Sequence, residues 1–106
     1  MQKRKDAYKT IEHFSEGLFK DRGSKFISLA YPVESESAIK EVLNDLQKKY
    51  HDARHHCYAW RLGISPPKER ANDDGEPSNS AGKPILNQIQ KYDLTNTLIV
   101  VIRYFG

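Results

Sequence analysis

The stretch "NDDGEPSNSAGKPIL", residues 72–86, sets three carboxylates, two glycines, two prolines and a lysine between apolar segments. Asp73, Asp74 and Glu76 around Gly75 have the residue types to hold a hard cation such as magnesium, or to share acid and base work. The same residues also make a turn, because Asp-Gly sequences bond their own backbone and accept left-handed conformations. Pro84 pushes Lys83 away from helical geometry. Lys83 is therefore the expected N-cap of a helix whose first residue is Pro84. The N–H groups of Ile85 and Leu86 would then face outward beside Gly82 and the Lys83 ammonium, an arrangement suited to an anion. Carboxylates placed ahead of a helix compete for the same N–H groups, so local chemistry leaves a ligand site and a self-contained turn-and-cap both open.

A nucleotide-cradling P-loop does not fit the spacing. That motif needs glycine five residues before Gly82, where Pro77 stands, and Ser or Thr after the lysine, where Pro84 stands. In "HDARHHC", residues 51–57, His51, His55, His56 and Cys57 are all metal-ligand types. Along a strand, however, His55 and Cys57 face one way and His56 the other, and no paired spacing such as C-x-x-C is present. These residues call for no metal and no cofactor. His55 is expected as a hydrogen-bonding group beside the acidic loop. Tyr58 and Trp60 have faces on which bases stack, but their alternation reads as core. Arg103 falls on the Ile99/Val101 face of an apolar strand, where a charge needs a partner, and the acidic loop is the expected source.

The elements that must position these groups follow from periodicity. "KFISLAYPV", residues 25–33, is rich in β-branched and aromatic residues and reads as a strand closed by Pro32. "YKTIEHFSEGLF" before it suggests one or two short strands, with a turn at "KDRGSK". Ile39, Val42, Leu43, Leu46 and Tyr50 recur at helical spacing, with Ser35 or Ser37 as cap. "HHCYAWRLG", residues 55–63, is a strand with His56, Tyr58, Trp60 and Leu62 on one face. "TLIVVIRYF", residues 97–105, is apolar on both faces and should be central. Residues 64–82 form an expected connection of about 19 residues, long enough to be functional or disordered. The predicted architecture is an α+β two-layer sandwich, a mixed sheet with two helices on one face.

The chain has 106 residues, enough for one domain, with 38% hydrophobic and 29% charged residues. Its net charge of +3 permits an RNA or phosphate partner without demanding one. One cysteine excludes an intrachain disulfide and suits a reducing, cytoplasmic setting. The basic N-terminus is not followed by an apolar core, so no signal peptide is expected. The longest apolar run, Leu98–Ile102, is too short for a membrane span.

Taken together, "AYPVESESAIKEVLNDLQKKYHDARHHCYAW", "DDGEPSNSAGKPIL" and "VVIRYFG" resemble the Impact/YigZ family over about Ser24–Gly106. The resemblance implies a fold like the second domain of small-subunit ribosomal protein five and domain IV of elongation factor G, with a left-handed crossover. It implies that residues 1–106 are an Impact N-terminal-like domain, ending before the family's glycine-rich turn, further helix and second small domain. Eukaryotic members restrain the general amino-acid-control kinase by binding its activator, whereas RNA or ribosome binding is the usual suggestion for bacterial ones. Carried over by position, the family's marked residues are His55, Asp73, Asp74, Gly75, Glu76, Pro77, Ser78, Ala81, Gly82, Lys83, Pro84, Arg103, Tyr104 and Gly106. Asn79 and Ser80 replace a usual Gly-Thr, which stiffens the loop.

The expected function is thus a non-enzymatic, translation-linked binding module, contacting RNA, a ribosome or a protein regulator and no membrane. Its contact surface would be the 72–86 loop backed by His55, Arg103 and Tyr104. The rival is a metal-assisted hydrolase using Asp73, Asp74, Glu76 and His55 on a phosphate or nucleotide-like substrate.

Overall fold

The computed structural model describes residues 8–105, so the basic N-terminal residues and Gly106, one of the positions carried over from the family, lie outside the described residues. Seven elements follow one another: β1 (Ser15–Asp21), β2 (Ser24–Pro32), α1 (Glu36–Lys49), β3 (His55–Leu62), β4 (Lys68–Asn72), α2 (Gly82–Lys91) and β5 (Thr97–Phe105). The five strands form one sheet in the order β1-β2-β5-β3-β4. The α+β class is as expected, and every pairing of named strands is antiparallel rather than mixed. The reason is the insertion of β5. The two strands joined by α1 run parallel to each other, but β5 lies between them and runs against both.

The second correction concerns the helices. Ile39 and Leu46 of α1 pack with Leu29, Trp60, Leu98, Val100 and Ile102. Leu86 and Ile89 of α2 pack with Ala59 and, at the edge of that cluster, Ala71 and Ile99. Trp60 pairs with Leu98, and its neighbour Ala59 pairs with Ile99. Adjacent residues of a strand point to opposite faces. The two helices therefore flank the sheet instead of sharing one face, and the sheet is the middle layer. This is what the two-sided apolarity of β5 requires: Leu98, Val100 and Ile102 are fully buried under α1, and Ile99 is turned toward α2.

Local sequence explains each boundary. Arg22 and Gly23 take φ of 51° and 83°, the left-handed pair that a two-residue β1–β2 hairpin needs. Ser35 caps α1, its hydroxyl accepting the Ala38 N–H at 3.1 Å. The expected structureless 64–82 connection contains β4, whose Lys-Glu-Arg-Ala-Asn sequence has no apolar alternation. It is a short edge strand, and charge on such an edge discourages further pairing. Trp60 is core, as read from its alternation.

Candidate functional site

The loop after β4 is organised by Asp73. Its Oδ1 accepts the N–H groups of Gly82 at 2.8 Å and Ala81 at 3.1 Å, and its Oδ2 accepts that of Asn79 at 2.8 Å. The Gly82 bond, then those from Asn79 and Ala81, hold the Asp73 carboxyl below its ordinary value. The helix starts at Gly82 with Ala81 as its N-cap, not at Pro84 with Lys83 as cap. Pro84 is accommodated inside the first turn, where its missing N–H has no helical partner to lose. The Ile85 N–H already bonds the Ala81 carbonyl. The expected outward-facing anion pocket is therefore filled from within, by the chain's own carboxylate.

Gly82 is there for space. A Cβ at this position would lie 2.5 Å from the Asn72 backbone nitrogen and 2.8 Å from its carbonyl carbon and oxygen. The helix mouth is thus pressed onto the end of β4. Asn79 takes φ of 62°, the left-handed conformation that a glycine adopts freely and asparagine tolerates.

Asp74 reaches the histidine strand. Its Oδ2 accepts the His56 backbone N–H at 2.6 Å, and its carbonyl oxygen lies 2.7 Å from His55 Nδ1. A carbonyl only accepts, so His55 carries a proton on Nδ1 and turns Nε2 toward Glu76, 3.8 Å away. His56 points to the other face, where Nε2 donates to the Tyr50 carbonyl at the end of α1, at 2.8 Å. Gly75, at φ of 89°, lets the turn pass over the His55 ring, with space for a Cβ only 3.5 Å from it. Glu76 meets Arg103, whose Nη1 donates at 2.9 and 3.2 Å to the two carboxylate oxygens. The Arg103 guanidinium also lies 4.3 Å from the Phe105 ring centre and 5.3 Å from that of Phe26, while its Nε is buried without a partner.

The expected partnership of Arg103 with the acidic loop thus exists in the structure. His55, Asp73, Asp74, Gly75, Glu76, Gly82 and Arg103 come together in one network. Ser78 and Lys83 are exposed on its rim, as are Pro77 and Pro84. Tyr104 is not part of it: it faces the α1 side, where its hydroxyl donates to Asp52 at 2.9 Å, and burial followed by Asp52 raises its pKa. Phe26 and Phe105 were missed by sequence reasoning, because only the β2–β5 register brings Phe26 opposite Arg103.

Beside the loop lies a cleft of about 460 Å³, with Phe19, Phe26, Cys57 and Val101 on the sheet side and Pro77, Ser80, Ala81 and Ile85 opposite; Glu76 and Arg103 also line it. Cys57 is not a ready nucleophile there. Its Sγ donates to the Asp73 carbonyl at 3.2 Å, and burial, then the Glu76, Asp74 and Asp73 charges, push the thiol up to about 12. The three loop carboxylates diverge onto different donors: helix-mouth N–H groups, the β3 backbone and Arg103. Among the described residues no three His, Cys, Asp or Glu side chains are grouped to hold a metal ion.

The Impact N-terminal domain model matches residues 22–106. The IMPACT family member YvyE of Bacillus subtilis is 36% identical over 100 residues, covering 94% of this chain and 46% of that protein. The IMPACT family member YigZ of Escherichia coli is 35% identical over 85 residues, covering 78% of this chain and 42% of YigZ. The solved structure of Yih1, described as a two-domain translational regulator, superposes with a TM-score of 0.71 at 30% identity, over 91% of this chain and 39% of Yih1. The chain spans less than half the length of each of these three relatives.

Proposed function

The chain belongs to the Impact family, and on that premise we propose that it is a non-enzymatic binding module of translational control, working in the cytoplasm through the surface of its 72–86 loop. One observation carries this reading. The loop is clamped at three points, by Asp73 on the helix mouth, Asp74 on β3 and Glu76 on Arg103, while Ser78, Asn79 and Lys83 stay exposed. A surface fixed before binding loses little conformational freedom when a partner docks. The description of Yih1 as a translational regulator supports the class of process.

Of the expected partners, a protein regulator fits better than an RNA backbone. Asp73 occupies the N–H groups that would receive a phosphate, and the adjoining cleft is lined mainly by apolar side chains. Affinity capture from a native lysate, with and without nuclease, tests the reading with wild type and the Ser78→Ala/Lys83→Ala variant, two exposed positions of the loop. Neither side chain clamps the loop, so fold is kept. The expected result is a translation-linked protein retained by wild type after nuclease treatment and lost by the variant. Identical captures by both chains would remove the loop as the contact surface. Partners lost only on nuclease treatment, with binding that weakens steeply in salt, would replace the protein regulator by RNA or ribosome.

A further inference from the structure

The outer edge of the sheet is formed by β1, exposed along all seven residues, Ser15–Asp21. It carries Leu18 and Phe19, 61% and 54% exposed, without the proline, bulge or block of lysines that commonly protects such an edge. The hairpin fixes which backbone groups are free. A two-residue loop at Arg22-Gly23 makes Asp21 and Ser24 its closing pair. In such hairpins that pair is hydrogen-bonded, and bonded and non-bonded pairs then alternate. Phe19 and Gly17 therefore bond inward to β2, while the N–H and C=O groups of Lys20, Leu18 and Glu16 point outward.

We propose that this edge pairs antiparallel with the same edge of a second copy, about a two-fold axis at Leu18, joining two sheets into one. In this register Glu16, Leu18 and Lys20 face the second copy's Lys20, Leu18 and Glu16, all through outward-pointing backbone groups. The charges are self-complementary, with each Glu16 opposite a Lys20. Lys20 has a reason to accept such a neighbour. Its partner within the hairpin is Lys25, a like charge directly opposite, and neither Lys20 nor Glu16 enters an ion pair among the described residues.

The other face of the strand is self-complementary in shape. Gly17 faces Phe19 of the second copy, and the space where a Gly17 side chain would stand is empty to 4 Å. The Phe19 ring, stacked on Phe26 at 4.7 Å, is the large side chain that this register sets opposite the bare glycine. A large aromatic over a cross-strand glycine shields both backbones. Leu18 meets Leu18 on the α1 side, beside Ile27. An interface made by one patch on both partners closes after two copies.

Charge reversal tests this pairing by sedimentation over a range of concentrations. Wild type is expected to dimerise. Glu16→Lys and Lys20→Glu each turn both cross-copy contacts repulsive and should weaken dimerisation roughly tenfold or more. The Glu16→Lys/Lys20→Glu double variant restores opposite charges in the same register and should recover most of the loss. Circular dichroism checks that all four chains fold. A wild type that stays monomeric up to about 1 mM overturns the proposal. So does a dimer indifferent to the single reversals, or one that the double variant fails to rescue.

Discussion

The Oδ1 atom of Asp73 lies 2.8 Å from the backbone nitrogen of Gly82, nine residues along the chain, and this bond closes the loop onto the helix it precedes. The carboxylate does for α2 what a capping side chain does from the N-cap position, but from a distance. Because its pKa is lowered in the folded state, the ionised carboxylate stabilises the fold. The contribution is complete above the ordinary carboxyl value of 3.8 and is lost as pH falls through the lower folded value. Asp73→Asn keeps the shape without the charge. Urea unfolding is expected to show wild type more stable by a constant margin at pH 5–7, a margin that shrinks below pH ~4. A margin that does not change on acidification would mean that the charge plays no part.

Gly82 and Gly17 make opposite forecasts for the same substitution. Gly82→Ala drives a Cβ into the Asn72 main chain at 2.5 Å, which no side-chain rotation relieves. The expected loss is about 1–3 kcal/mol, in spite of alanine's better helix propensity. Gly17→Ala meets nothing within 4 Å and should stay within about 0.5 kcal/mol of wild type. Denaturant midpoints for the two variants check this, and equal destabilisation would contradict the close approach of the helix mouth to β4.

Several of these relationships were legible before any coordinates. The alternation of "HHCYAWRL" placed His55 and His56 on opposite faces, and the exposed-type charge at Arg103 on an apolar strand called for a loop carboxylate, which Glu76 supplies. Other features were hidden for physical reasons. Strand β4 has no apolar period because both its outer edge and much of its surface meet solvent, so a polar connection and a polar edge strand look alike. The two-sided apolarity of β5 was read only as a central position while both helices were expected on one face, because the sequential order of the elements does not say which face each helix takes. The helix start moved from Pro84 to Gly82 because a distant carboxylate, not the local dipeptide, decides where the N–H groups find partners.

The Glu76–Arg103 pair is half-shielded, with side-chain exposures of 11% and 29%, so it should couple measurably. Glu76→Gln removes the charge, and Arg103→Met keeps an extended side chain against Phe26 and Phe105. A double-mutant cycle is expected to return a coupling of about 1 kcal/mol that diminishes in high salt. Glu76→Gln alone should cost more than it does in the Arg103→Met background, since it leaves the guanidinium with a buried Nε and no carboxylate. Additive effects would reduce the pair to surface decoration and loosen the third clamp of the loop.

Cys57 offers a direct reading of whether that clamp stays closed. Its side chain is 3% exposed, and its pKa stands at about 12 against an ordinary 9.0. The thiolate is the reacting form, so at pH 8 the docked cysteine should react much more slowly with a small disulfide reagent than in the unfolded chain. The sulfur lies under the Asp73 carbonyl, so lifting the loop uncovers it without global unfolding. Gly82→Ala, which pushes the helix mouth off Asn72, is therefore expected to accelerate labelling by more than its loss of global stability accounts for, while Gly17→Ala leaves the rate unchanged. If labelling in Gly82→Ala follows global stability alone, the loop and the helix mouth open only with the whole domain, and the preset surface is part of the core rather than a separately held element.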